Sequence, residues 1–176
     1  MRDRIETESL VLRPLEIDDA EAIHAHCRDG SIARYTARVP HPYPLIAAEL
    51  YVLATRAAHG KRPGGTYAIA RREDNRLIGS CAAFKRLPGD DGIEIGYWTG
   101  PDSRGQGVAT EASAALITAI RDDLAPNVIT SGHFEDNPAS GRVLEKLGFV
   151  YTGETSRHFC MGRLAYATSR DMVWAG

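Results

Sequence analysis

The sequence contains no CxxC pair and only three cysteines, Cys27, Cys81 and Cys160, scattered along 176 residues. An odd, dispersed set fits thiols left free in a reducing cytosol. No apolar run nears the ~20 residues needed to span a bilayer. The opening stretch, MRDRIETESL, lacks the apolar segment of a secretory signal. These absences lead us to expect a cytoplasmic protein with no membrane partner. Charge of one sign is missing too. The 21 basic and 23 acidic residues are interspersed and leave a net charge of -2, so there is no electrostatic footprint for nucleic acid. No repeat or low-complexity tract is visible. The length predicts one domain, residues 1–176, able to bury a core without disulfides or metals.

What is present reads as an alternation of strands and helices. SLVLRPL (9–15) predicts a strand ending at Pro14. IDDAEAIHAHC predicts a helix with Asp18 as its cap and Glu21 as the return partner. A punctuated loop with Gly30, Pro40, Pro42 and Pro44 follows. From Leu45, residues Ala47, Leu50, Tyr51, Ala54 and Ala58 form one helical face, closed by Gly60. GTYAIARREDNRLIGSCAAFKRL predicts a hairpin turning near residues 73–75, and GIEIGYWTG a third strand of that set. Then come a helix from Val108 to about Asp122, a strand at NVITSGHF, and a helix at NPASGRVLEKLGF. That helix has Asn137 as cap, Pro138 at its first position and Gly148 past its end. FVYTGET and AYATSRDMVW complete the set. The predicted class is α/β (α+β): a mixed, mostly antiparallel central sheet with one parallel pair, flanked by about four helices. The parallel pair comes from the strand–helix–strand crossover over residues 92–134.

The loop of that crossover, GPDSRGQGVATEA (100–112), leaves the C-terminal end of its strand, where ligands sit in α/β units. Amides at a helix entrance have no helical acceptor and carry partial positive charge, so they bind phosphate. Gly105 and Gly107 permit sharp turns and close approach, Arg104 adds a positive fork, and from Arg104 on no carboxylate intrudes before Glu111. A pyrophosphate cradle and a merely glycine-rich surface turn both fit these residues. A Walker loop is excluded because no Gly-Lys-Ser/Thr is present. The dinucleotide fingerprint is excluded because Thr110 stands where it needs Gly or Ala.

RGQGVA (104–109) fits the R/Q-x-x-G-x-G/A signature of the GNAT superfamily of acetyl-CoA-dependent N-acetyltransferases. LVLRPLEIDDAEAI, IEIGYWTGPDSRGQGVATEA and NPASGRVLEKLGF together resemble its ribosomal-protein N-terminal acetyltransferase branch, in the same order and over most of the chain. The resemblance implies the GNAT fold, with the parallel strands splayed, and acetyl-CoA as cosubstrate. It implies that the amides of Arg104, Gly105, Gln106, Gly107, Val108, Ala109 and Thr110 hold the coenzyme pyrophosphate. Tyr97, Trp98 and Thr99 would pair through their backbone with the pantetheine arm, as an added strand does. Amides near Trp98 would polarise the thioester carbonyl. Asn137 would touch the cofactor as well as cap its helix.

The chemistry implied is acyl transfer from a thioester to a neutral amine. At pH 7, deprotonating a lysine-like amine (pKa ~10.4) costs about 4.6 kcal/mol, whereas an α-amine (pKa ~7.8) costs about 1 kcal/mol. Strand alternation puts Glu94, Gly96 and Trp98 on one face, opposite Ile93, Ile95 and Tyr97. Glu94 is the candidate base, directly or through water, with Gly96 leaving space beside it; a solvated strand face is the plain alternative. Many family members protonate the thiolate with a Tyr that is Leu144 here. Ser140 matches the serine of the ribosomal branch, and the plain alternative is a first-turn serine bonded to backbone. His24 and His26, two apart on a helix, make a poor metal pair, and no metal is expected. His133 is a reserve base. Tyr35, His41 and Tyr43 lie in the segment (28–65) that shapes the acceptor site in this family. Cys27 and Cys81 are expected to be buried. The acceptor is expected to be a protein N-terminal amine, with a small-molecule amine such as an aminoglycoside, polyamine or amino acid as the alternative. A non-catalytic acetyl-CoA-binding module is the rival of another class. Edge strands near the C-terminus leave a homodimer open.

Overall fold

The computed structural model describes residues 1–60, 64–85 and 92–176. Arg86 and Leu87, assigned to the hairpin from sequence, and residues 61–63 of the acceptor segment lie outside the described residues. Eight strands and four α-helices are present among those described. The strands are β1 (Ile5–Glu6), β2 (Leu10–Arg13), β3 (Gly65–Arg71), β4 (Leu77–Phe84), β5 (Gly92–Thr99), β6 (Val128–Phe134), β7 (Phe149–Cys160) and β8 (Ala165–Trp174). The helices are α1 (Asp19–Cys27), α2 (Leu45–Ala58), α3 (Val108–Leu124) and α4 (Pro138–Lys146). The sheet order is β1-β2-β3-β4-β5-β6-β8-β7. Every neighbouring pair is antiparallel except β5–β6, which is parallel. The mixed sheet expected from the sequence is therefore present, with β1 added.

The two faces of the sheet carry separate cores. One gathers Leu12, Ile69, Ile93 and Ile95 against Val108, Leu116 and Ile120 of α3 and Leu144 of α4. The other gathers Leu15, Ala68 and Leu77 against Ile23 of α1 and Ala48 and Val52 of α2. Strand alternation delivers residues to both faces. Tyr97 packs against the first core and Trp98 against the second, so β5 is pleated as its sequence predicts.

Two local expectations are corrected. Asp18 makes no capping bond, and α1 begins at Asp19. Asp19 is buried and is held by Arg13 at 2.8 and 2.9 Å while accepting from the Glu16 amide at 2.7 Å. On α2 the inward face is Ala48 and Val52, with Ala47 and Tyr51 beside them, and Leu50 is 59% exposed. The helix is rotated from the expected face because Tyr51 and Val52 both find the α1-side core.

Candidate functional site: a glycine-bared helix entrance beside a splayed strand pair

The parallel ladder between β5 and β6 covers only three register pairs: Gly92 with Val128, Ile93 with Ile129, and Glu94 with Thr130. Beyond it, β6 continues alongside β8 as far as Phe134, and β5 continues alongside β4 as far as Thr99. The two strands therefore part after Glu94. Ser131, buried, donates its hydroxyl to the Ile95 carbonyl at 3.0 Å. That contact shows that the Ile95 backbone faces β6. By alternation the backbones of Tyr97 and Thr99 face the same gap. Trp98 faces the other way, toward β4, where it is in register with Ser80. Gly79 admits its carbonyl there, since a Cβ on Gly79 would lie 2.5 Å from the Trp98 oxygen. Of the three strand-end residues singled out from sequence, Tyr97 and Thr99 thus turn backbone groups to the gap.

The chain leaves β5 through a short 3₁₀ turn (Pro101–Ser103) and enters α3 through Arg104 to Gly107. Gly105 and Gly107 have φ of 74° and 82°, the left-handed region that glycine adopts without a Cβ penalty. A Cβ built on either would meet no protein atom within 4 Å. The first intrahelical bond runs from the Glu111 amide to the Gly107 carbonyl at 2.9 Å, so the preceding amides of the first turn lack helical acceptors. Open space above two glycines and a row of orphan amides fits a diphosphate. The Arg104 guanidinium reaches across to the Ser31 hydroxyl at 2.7 Å, and the Gln106 side chain donates to the Asp102 carbonyl at 2.7 Å. Glu111, the first acid of the helix, is turned away from the loop. It accepts from the Thr7 hydroxyl (2.6 Å), the Ser9 amide (2.9 Å) and the Ser9 hydroxyl (2.7 Å).

A cavity of about 640 Å³ adjoins this loop, between Ser103, Gln106 and Val108 and the arginines Arg71, Arg72 and Arg76. Its charge is balanced by Glu8, Glu73 and Asp102. Arg71 is also engaged by Asp74 at 2.8 Å. The cavity is therefore a poorer anion site than the helix entrance itself.

On the α3–α4 side of the gap, Asn137 caps α4, accepting from the Ser140 amide at 3.3 Å. The phenol of Tyr97 lies 3.0 Å from Ser140 Oγ and donates to the Ser140 carbonyl at 3.1 Å. Burial pushes the Tyr97 phenol up to about 12, against the pull of its hydrogen bond to Ser140. The structure thus brings Tyr97, Asn137 and Ser140 together. From sequence only the backbone of Tyr97 is expected to take part. On the opposite, α1–α2 side stand Glu94 and Trp98, with Gly96 between them. A Cβ on Gly96 would meet only Phe84, at 3.9 Å.

Three of the histidines singled out from sequence bond to neighbouring protein groups. His24 Nδ1 lies 2.8 Å from the Tyr43 carbonyl and His26 Nε2 3.2 Å from that of Leu77. His133, buried, has Nδ1 2.9 Å from the Phe134 carbonyl and Nε2 3.0 Å from the Tyr151 hydroxyl, so both nitrogens have protein partners. His41 abuts Gly30. Tyr43 is buried, and Tyr35 is half-exposed against Arg34 and Arg163. Cys27, Cys81 and Cys160 are free and buried, and burial pushes the Cys27 and Cys81 thiols up to about 12. Among the described residues no cluster of three or more His, Cys, Asp or Glu is arranged for a metal. Among the same residues no helix is long and apolar enough to cross a membrane.

A strand–loop–helix unit with unpaired entrance amides thus stands beside a splayed parallel pair, and comparison with known proteins gives the class. The profile of the acetyltransferase (GNAT) domain family matches residues 9–150, and the chain belongs to that family. It is 27% identical over 165 residues to the uncharacterized N-acetyltransferase YoaA of Bacillus subtilis, covering 94% of this chain and 93% of that protein. Its fold is shared with a GNAT-family acetyltransferase from Bacillus anthracis (TM-score 0.82, 22% identity, 97% and 96% coverage). The fold is also shared with RimL, the ribosomal L7/L12 α-N-protein acetyltransferase, in complex with coenzyme A (TM-score 0.79, 17% identity, 97% and 98% coverage).

Proposed function

We propose that this N-acetyltransferase uses acetyl-CoA to acetylate the N-terminal α-amine of a protein. The observation that carries the reading is the placement of the candidate groups on opposite faces of one gap. By alternation with Ile93 and Ile95, Glu94, in the last ladder pair, faces the α1–α2 side, and Ser140, at the start of α4, meets Tyr97 beyond that pair from the other side. Two reactants entering from opposite faces would meet between the strands.

Bound acetyl-CoA supplies the electrophile, an acetyl thioester. In this reading the amides of residues 104–110 hold its diphosphate and Tyr97 and Thr99 pair with its arm, with Asn137 in contact from the start of α4. The Tyr97 or Thr99 amide, rather than that of Trp98, donates to the thioester carbonyl. Glu94 takes the ammonium proton, directly or through water. Ser140 donates a hydrogen bond to the sulfur. A carboxylate base suits an α-amine, whose deprotonation at pH 7 costs about 1 kcal/mol against about 4.6 for lysine. The fold shared with RimL supports the same acceptor class.

The test is a panel of acceptors incubated with acetyl-CoA: peptides with free and blocked N-termini, a polyamine, an aminoglycoside and free amino acids. The expected result is one acetyl group mapped by mass spectrometry to the peptide α-amine, with the blocked peptide inert. Glu94→Gln should lower kcat/KM by about 10²–10³-fold while acetyl-CoA binding persists. Acetylation of small amines alone would move the acceptor assignment, and unchanged turnover in the variant would remove Glu94 as base.

A further inference from the structure

We propose that Tyr97 is a positioning residue: its phenol fixes the rotor of Ser140 so that the serine O–H points into the gap and stabilises the departing thiolate. This rests on the acetyl-transfer reading above and adds to it a side chain from another element, 43 residues away in sequence.

A serine hydroxyl alone is a poor director of its own proton. It rotates freely, and in the first turn of a helix it tends to bond back to nearby backbone. Here the Ser140 amide is held by Asn137, and the phenol oxygen sits 3.0 Å from Oγ and 3.1 Å from the Ser140 carbonyl. The pair has two arrangements. With the phenol donating to the carbonyl, Ser140 donates to the phenol and its proton is withheld. With the phenol donating to Oγ, the serine O–H is released toward the gap. An anion developing in the gap favours the second arrangement, because two donors in series then point at it. The turn that carries Ser140 is fixed from below: a Cβ on Gly141 would lie 2.8 Å from His133 Nε2 and 2.9 Å from the Tyr151 hydroxyl. Tyr97 therefore meets a serine with little room to shift.

The pair acts by hydrogen bonding and not as a proton source. As the C–S bond breaks, its electron pair stays on sulfur. The amine proton goes to Glu94, and the thiolate takes its own proton from solvent after leaving. A proton moving from a phenol at about 12 to a thiolate whose acid sits near ~8.5 would run uphill.

The experiment reads the thiol of bound coenzyme A directly. Far-ultraviolet absorbance of the thiolate is followed against pH, with ligand-free protein as the blank, in wild type, Tyr97→Phe, Ser140→Ala and the double variant. Wild type should hold the bound thiol about one pKa unit below either single variant, and the double variant should add nothing further. Turnover should match, with kcat lowered about tenfold and KM for acetyl-CoA unchanged in Tyr97→Phe. Fluorotyrosine at position 97, which keeps the side-chain shape but donates more strongly, should lower the bound thiol pKa further. Tyr97→Phe titrating with wild type while Ser140→Ala differs would overturn the proposal and leave the acetyl-transfer reading standing. Failure of wild type to bind coenzyme A in calorimetry would instead remove that reading, and the proposal with it.

Discussion

Ser131 donates its hydroxyl to the Ile95 carbonyl at 3.0 Å, one residue past the last ladder pair of β5 and β6. A side chain there takes the place of a strand–strand bond. It closes the floor of the gap and satisfies the last β5 group that β6 could have reached. The backbones of Tyr97 and Thr99 beyond it are left facing open space, where a guest strand can add.

Gly107→Ala separates backbone strain from ligand contact. Its Cβ would meet no protein atom, so the only cost to the folded protein is the left-handed φ, about 1–2 kcal/mol. A phosphate resting on the loop would meet that methyl group. Calorimetry should show acetyl-CoA affinity lower by about tenfold or more, with a small fall in unfolding midpoint. Unchanged affinity would place the diphosphate elsewhere.

Glu111 gives a pH signature. Burial raises its pKa, but hydrogen bonds from the Thr7 hydroxyl and from the amide and hydroxyl of Ser9 outweigh that and hold it below the ordinary value. A lowered folded pKa contributes stability that is present above the unfolded value of ~4.3 and is lost as pH falls through the folded one. Glu111→Gln should cost about 1–2 kcal/mol near neutral pH and show a smaller loss between pH ~5 and ~3 than wild type. Denaturant melts across that range check it; parallel curves would mean that the three bonds contribute nothing.

Asp18 and Asp19 differ sharply despite being adjacent. Asp18→Ala, with no capping bond to lose, should change stability by less than about 0.5 kcal/mol. Asp19→Asn leaves the buried Arg13 guanidinium without its carboxylate and should cost about 3–5 kcal/mol. Equal effects in urea unfolding would contradict the assignment.

The contrast between these neighbours shows what sequence conveys here. Local signals carried well: Asn137, Pro138 and Gly148 bracket α4, and alternation in GIEIGYWT sorts Tyr97 from Trp98. The glycines of the α3 entrance also announced a turn before a helix. Asp18 satisfied the local capping pattern, yet α1 is anchored by Asp19 because Arg13 approaches from another element. β7 runs on to Cys160, past the predicted end, because Gly153 at φ 87° breaks the alternation while a bulge between Tyr151 and Thr155 lets pairing resume. The contacts of Tyr97 with Ser140 and of Glu111 with Thr7 and Ser9 join distant segments, and periodicity holds no signal for such pairs.

A crystal structure of the protein grown with acetyl-CoA tests the site most directly. The expected map shows the diphosphate within about 3 Å of the amides between Gly105 and Thr110, with the arm running along Tyr97 and Thr99. Coenzyme bound instead in the cavity beside Arg71 and Arg76, with the α3 entrance bare, would contradict it.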